Sequence, residues 1–347
     1  MKALRRESRD VGDIRLVDIP VPEPTGKRVL AKVAYAGICG SDLDILYSRN
    51  TIYQPPVVQG HEFSAVITEV GGDVRGYQIG DTIVSETTFG SCGTCQMCHN
   101  GNYHLCRTKA IVGWTENGGF AEYVLLNSHY LHRLSAQTDL RSAALVEPTA
   151  IATEGVHVKG KLQPGETVAV IGPGTIGLLS ALVALELGAK NVYLIGLSDA
   201  REVRFRIAAE LGVSHCIDSG VTDPLTYLLD TNGGGKPDLV VDATGNINGF
   251  RLALDLVKRN GRIVEAGSIT TDAPFPWEKA AYAAIDLHFV FSSSHQAWAK
   301  AVRIFNTSRI DYTKLITAIC PLDDYRRAFE LAANPSQSLK VLFDPSK

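Results

Sequence analysis

The stretch VAVIGPGTIGLLSALVALELG, residues 168–188, decides the fold. An apolar run leads into a glycine turn and then a helical stretch, with Gly172, Gly174 and Gly177 spaced as G-x-G-x-x-G. In that setting the first glycine permits the tight turn and the second lets a pyrophosphate approach the backbone. The third lets helix and strand pack closely. A phosphate then meets the N-terminus of the helix, where free amides and the helix dipole favour an anion. Glycine turns of this kind also arise from packing alone. The run 167–171 before it, the helical stretch 175–187 and the apolar run 191–195 after it make a dinucleotide site the expectation.

The same rhythm continues outward. A helical stretch at 200–211 ends at Gly212, and further apolar runs at 238–241 and 262–266 are each followed by glycine-containing turns. Strands alternating with helices imply right-handed crossovers and a parallel sheet covered on both faces. Before residue 150 the pattern differs: short runs such as 29–36 and 63–70, punctuated by Gly and Pro, predict a β-rich, partly closed sheet. The segment after about residue 295 is too short for a third core and is expected to pack back onto the first domain.

Bulk properties narrow the function classes. A chain of 347 residues favours two domains, and 45% hydrophobic with 20% charged residues suits a globular protein. A formal charge of −3 with scattered Lys and Arg offers no basic stripe for nucleic acid or anionic lipid. The charged start MKALRRESRDVGDIRLVDIP lacks a signal-peptide core, and no run reaches membrane-spanning length, so a cytoplasmic location is expected. Seven cysteines, four of them crowded into one loop, suit metal thiolates in a reducing compartment. Cys216 and Cys320, in apolar surroundings, read as core residues.

The loop CGTCQMCHNGNYHLC, residues 92–106, spaces Cys92, Cys95, Cys98 and Cys106 as C-x2-C-x2-C-x7-C. Four thiolates make a closed tetrahedral site suited to structural zinc. An iron–sulfur cluster is the rival, but its bacterial motif brings the fourth Cys sooner and follows it with Pro. Here Arg107 follows. His99 and His104 are expected at the surface, since the shell is already complete. A second set is dispersed: Cys39 in AGICGSD, His61 and Glu62 in QGHEF, and Glu147 in LVEPTA, each beside a turn residue. Cys, His and carboxylate are a suitable catalytic zinc set with one open position.

The strand after the glycine turn normally ends in an acid that binds the adenosine ribose, yet VYLIGLSDAR has Gly196 there. Without that charge a 2′-phosphate is tolerated, and Arg201 stands five residues on to pair with it, which leans the cofactor toward NADP. Gly196 as a plain strand end and Arg201 as solvated surface are the alternatives, and Asp199 weakens the case unless it caps a helix.

In order along the chain, AGICGSD, GHEF, GDTIV, the four-cysteine loop, GGFAEYV, VEPTA, GPGTIG, DATG and GRIVEAG resemble the zinc-containing medium-chain alcohol dehydrogenases. Within them the chain is similar to the sorbitol (L-iditol) and sugar-alcohol branch, over essentially its whole length. The resemblance implies a GroES-like catalytic domain at 1–151, completed by 292–347, and a Rossmann domain at 152–291. It also implies Cys39 and His61 as ligands of a catalytic zinc, with Glu62 or Glu147 completing the set. Ser41 matches the hydroxyl that bonds the substrate oxygen and relays its proton, and Asp44 stands where the family often has His. With a reference pKa of about 4, a carboxylate is a weaker base than His near neutrality. Phe120 matches an apolar position facing the substrate, and Glu147, at the third protein-ligand position, is assigned to the substrate side as well.

Thr175, Ile176, Ser198, Thr244, Gly267, Ser268, Ser292 and Ser293 are assigned to the cofactor alongside the three loop glycines. Sorbitol-selective members carry Arg and Tyr where this chain has Ser292 and Ser293, which counts against sorbitol itself. The implied reaction is hydride transfer between a hydroxyl-bearing carbon and NAD(P), with two zincs per chain. The alternatives are a zinc-free quinone or enone reductase, a non-catalytic relative, and a zinc-ribbon binding module. The apolar run 286–291 and the family habit predict a homo-oligomer, a tetramer rather than a dimer.

Overall fold

The computed structural model describes every residue except 48, 50, 51, 270, 271 and 273. It parts the chain into two compact units. The first holds Met1–Glu147, Trp298–Asn334 and Lys340–Lys347; the second holds Pro148–Ala297 and the short return Pro335–Leu339. These divisions fall at 147/148 and 297/298, a few residues from the 151/152 and 291/292 read from sequence. Glu154 explains the later second division: its carboxylate accepts from Ser294 N at 3.1 Å and from Ser294 Oγ at 2.5 Å, which ties that segment to the second unit.

Six parallel strands form the sheet of the second unit, in the order His215–Asp218, Asn191–Gly196, Thr167–Ile171, Leu239–Asp242, Arg262–Glu265, Asp286–Phe289. Chain order reverses beside Thr167–Ile171, the place where open α/β sheets bind ligands beyond their carboxyl ends. Every residue of that strand is buried, as a doubly covered parallel strand requires. Gly172 leaves it at φ +94°, a conformation that glycine adopts without Cβ strain, and Gly174 caps the helix Thr175–Glu186. A Cβ on Gly177 would lie 1.8 Å from the Gly172 carbonyl oxygen, so only glycine allows this helix to sit so close to the turn. After Asn191–Gly196 a 3-10 turn, Ser198–Ala200, leads into a wide π turn, Arg201–Phe205, and then the α-helix Arg206–Glu210.

The first unit is built on a seven-stranded sheet. Arg28–Gly37 lies antiparallel to Glu62–Val70, pairing Gly37 with Glu62, and on its other side antiparallel to the C-terminal strand Lys340–Asp344. The chain's end thus supplies a strand to the fold begun at its start. One apolar core runs beneath, with Phe63, Phe120, Phe329 and Phe343 among its buried members. Among the described residues no helix is long and apolar enough to cross a membrane.

Candidate active site and cofactor cavity

At one end of the first unit's sheet the strand Arg28–Gly37 runs out into the helix Gly40–Leu46. Cys39 is the N-cap of that helix, held in extended conformation while its amide donates to Asp42 Oδ2 at 3.0 Å. The other Asp42 oxygen lies 3.7 Å from His61 Nδ1. That fully buried carboxylate stands behind the ring at ion-pair distance, on the side where outer carboxylates orient metal-binding imidazoles. Ser41 Oγ lies 3.5 Å from His61 Nε2. Gly60 sets the turn before His61 at φ +93°, with the Phe120 ring where a Cβ would stand.

Among the described residues, the ligand atoms of Cys39, His61 and Glu62 lie within 4.8 Å of one another, with Glu147 outside that group. Glu62 is also ion-paired with Lys340, both almost wholly buried, and Lys340 Nζ donates to Ile38 O at 2.8 Å. Gly37 makes room for this pair: a Cβ there would lie 2.5 Å from Glu62 Oε2 and 2.8 Å from Lys340 Cε. Burial resists a positive charge on His61, yet Asp42, Cys39 and Glu147 together hold its basicity well above the usual value. Burial and then Glu62 push Glu147 up to about 7, against the pull of His61. A pocket of acids and a thiol that favours positive charge, offering sulfur, imidazole nitrogen and oxygen at close range, fits a divalent zinc ion.

The four-cysteine loop is equally convergent. Cys95 and Cys98 sulfurs lie 3.6 Å apart, Cys92 and Cys98 3.9 Å, and all four lie within 4.8 Å of one another. Tetrahedral zinc with bonds of about 2.3 Å sets neighbouring sulfurs about 3.8 Å apart, so the loop fits a single ion. The backbone amides of Thr94 and Cys95 lower Cys92 to about 5, which favours the thiolate a metal needs. His99 is exposed as expected; His104 is buried instead, its carbonyl accepting from Lys109 Nζ at 2.6 Å.

In the second unit a cavity of about 520 Å³ opens beside the glycine turn. Gly172, Gly174, Gly196 and Thr244 line it, as the cofactor assignment expects. Arg201 does not. Its Nε pairs with Asp218 Oδ2 at 2.5 Å, and Ser198 Oγ donates to the other Asp218 oxygen at 3.0 Å. The carboxylate that consumes them comes from the neighbouring strand, a pairing that no local motif announces. Arg204, one helical turn further on, lines the cavity instead, with Nη1 4.0 Å from where a Gly174 Cβ would stand. Gly196 also has a second explanation, since a Cβ there would lie 2.6 Å from the Pro173 ring.

Other assignments fall off the cavity wall. Thr175 Oγ1 donates to Leu339 O at 3.0 Å, Gly267 packs against Gly245, and Ile176, Ser268, Ser292 and Ser293 lie outside the lining residues. Phe120, expected against the substrate, has no exposed surface; its ring is T-shaped to Phe343 at 4.9 Å and belongs to the core under His61. Asp44 is half exposed and pairs with Arg49 at 3.0 Å. Asp42, Lys340 and Arg204 are the site residues that sequence reasoning passed over. Asp42 was within view, three residues after Cys39 at capping-box spacing.

Comparison with known proteins agrees with this geometry. Residues 25–136 match the alcohol dehydrogenase GroES-like domain, and residues 175–307 match the zinc-binding dehydrogenase domain. The chain is 33% identical to a sorbitol dehydrogenase of Halalkalibacterium halodurans over 99% of each chain. It is 30% identical to a D-arabitol-phosphate dehydrogenase of Enterococcus avium, covering 99% of this chain and 97% of that one. The crystal structure of a putative zinc-binding dehydrogenase from Sinorhizobium meliloti 1021 bound to NADP superposes with a TM-score of 0.90 at 29% identity, over 99% of both chains. The assembled ligand sets, the reversed strand order and these full-length likenesses place the chain in the zinc-containing medium-chain alcohol dehydrogenase family, as an NAD(P)-linked dehydrogenase of its sorbitol and sugar-alcohol branch.

Proposed function

We propose that this dehydrogenase interconverts a secondary alcohol of polyol or sugar-like kind and its ketone, with Cys39, His61 and Glu62 holding a catalytic zinc and the four cysteines a structural one. The convergence of Cys39, His61 and Glu62 within 4.8 Å, with Ser41 beside them, carries this reading. A zinc held by these residues would supply Lewis acidity toward the substrate oxygen, and a nicotinamide in the cavity would supply or take up the hydride. The chain's own groups do the rest. Ser41 Oγ accepts the proton of the substrate hydroxyl and passes its own outward, and Asp44, on the same helix and half exposed, is the acceptor nearest solvent in sequence. Asp42 holds the His61 ring in one orientation, while Lys340 neutralises Glu62. The polyol class rests on the names of the two relatives.

Elemental analysis of wild type and His61→Ala, alongside nicotinamide absorbance on a panel of polyols, tests the proposal. Two zincs falling to about one in the variant, with activity down by on the order of 10³-fold, supports it. One zinc in the wild type, unchanged by the substitution, overturns the catalytic site.

The lean toward NADP rests on the missing strand-end acid and on Arg204 in the cavity wall. Gly196→Asp is a poor test because the Cβ collides with Pro173. Leu197→Asp is better, since Leu197 borders the cavity and is 64% exposed. It should weaken NADPH relative to NADH by about tenfold; an unchanged ratio, or a wild type that already prefers NADH, refutes the lean. We assign a homo-oligomer, a tetramer rather than a dimer. Supporting this, Phe289 on the edge strand Asp286–Phe289, with Phe291 and Tyr282 near it in sequence, leaves apolar surface exposed. A monomer mass by light scattering would reject it. Seven unpaired cysteines favour a reducing compartment such as the cytoplasm.

A further inference from the structure

Two buried carboxyl groups lie side by side under the cofactor cavity, and the reaction outlined above uses neither. Asp242 ends the strand Leu239–Asp242, Glu265 ends Arg262–Glu265, and the two are register partners in the parallel sheet. Their exposures are 0% and 4%. One oxygen of each serves the loop after its own strand. Asp242 Oδ1 accepts from Thr244 N at 2.9 Å and Thr244 Oγ1 at 2.7 Å, and Glu265 Oε1 accepts from Gly267 N at 3.1 Å. The other oxygens, Asp242 Oδ2 and Glu265 Oε2, are shut off from solvent without a hydrogen-bond partner among the described residues, and they stand on the ends of paired strands.

Two carboxylates cannot hydrogen-bond to each other, whereas a proton carried by one of the pair would satisfy both orphaned oxygens and remove their repulsion. Among the described residues no cation is ion-paired with either carboxyl. Thr167–Ile171, on one side, has no titratable side chain. On the helix Ile247–Leu256, Arg251 turns to Asn248 and Asp255 to Lys279. On the strand Asp286–Phe289, His288 sits opposite Val264, among the charges of Asp286, Lys159, Lys161 and Arg262. Arg262 itself pairs with Glu166, and Glu154, from the segment packed on this strand, is taken by Ser294. Burial first, and then the Asp242 charge, push Glu265 up to about 9.

The loops that these acids hold are in contact. A Cβ on Gly267 would lie 2.2 Å from Gly245 N, and Thr244, anchored by Asp242, lines the cavity together with Asn246. We propose that Asp242 and Glu265 share one proton and act as a positioning pair for the dinucleotide: the shared proton locks the two loops into a binding wall, and its loss at alkaline pH repels the strand ends and loosens the cofactor. This rests on the reading that the dinucleotide occupies this cavity.

The test is the dissociation constant for NADH, followed by nicotinamide fluorescence from pH 6 to 10, in the wild type, Glu265→Gln and Asp242→Asn. Either amide supplies a permanent donor to the remaining carboxylate, so the variants report independently should one of them fold poorly. In the wild type the constant should stay level to about pH 8 and rise at least tenfold by pH 10. In either variant it should stay level throughout. A wild-type constant unchanged to pH 10, or variants that rise in parallel with it, overturns the shared proton. Failure of the wild type to bind NADH at pH 7 would instead remove the cofactor reading on which the pair depends.

Discussion

The two sets of residues proposed to hold zinc are built in opposite ways. The four cysteines lie within 15 residues, and a short loop with a single turn of helix, Gln96–His99, brings them together. Cys39 and His61 come from separate elements, joined only because Gly37 pairs with Glu62 across two antiparallel strands and the C-terminal strand delivers Lys340 beside them. The local set is a staple whose ligands nearly find one another by chain connectivity, whereas the dispersed set exists only when the sheet does. A site of the second kind can be oriented by groups far away in sequence, which suits chemistry; a site of the first kind suits stability.

The dispersed set should therefore fail when its supports are removed, even with every ligand intact. Lys340→Met strands a buried Glu62 charge and should cost about 3–5 kcal/mol of stability, read by denaturant unfolding, with Lys340→Arg recovering much of it. A loss within error of zero would mean that Glu62 does not need its partner, and the comparison would lose its main support. The local set should behave otherwise. Cys92→Ser should release one zinc and lower Tm by roughly 5–10 °C, while kcat per folded molecule stays within about twofold of wild type. Loss of kcat in step with that zinc would break the division between staple and catalytic site.

A smaller effect sharpens the contrast. Asp42→Asn keeps the bond to the Cys39 amide but weakens the hold on His61 Nδ1, and should reduce catalytic zinc affinity by about 10–100-fold in chelator competition. Zinc in the four-cysteine loop should be unaffected. Equal loss from both sites would show that Asp42 supports the unit as a whole rather than the His61 ring.

Several features are legible in the amino-acid order. Local signals announce the glycine turn, the alternation of strands and helices, and the cysteine spacing, because each is a short-range demand on backbone or ligand geometry. The arginine that lines the cavity differs from the one read from sequence position for a physical reason: Asp218 on the adjacent strand pairs with Arg201, while Arg204 faces the cavity. Phe120 is misplaced for a similar reason. An aromatic beside a ligand turn reads equally well as substrate wall or as core, and its packing on Phe343 puts it in the core.

The amino-acid order alone carried the dinucleotide turn, the parallel sheet and the four-cysteine spacing, since periodicity and spacing act along the chain; Cys39 and His61 are singled out by resemblance to the family. Tertiary structure alone decided that Glu62 rather than Glu147 joins them at close range, that Lys340 neutralises it, that Arg204 faces the cavity, and that Asp242 meets Glu265. Those outcomes depend on which strands become neighbours and on how far burial shifts a charge, and neither is encoded within a single element.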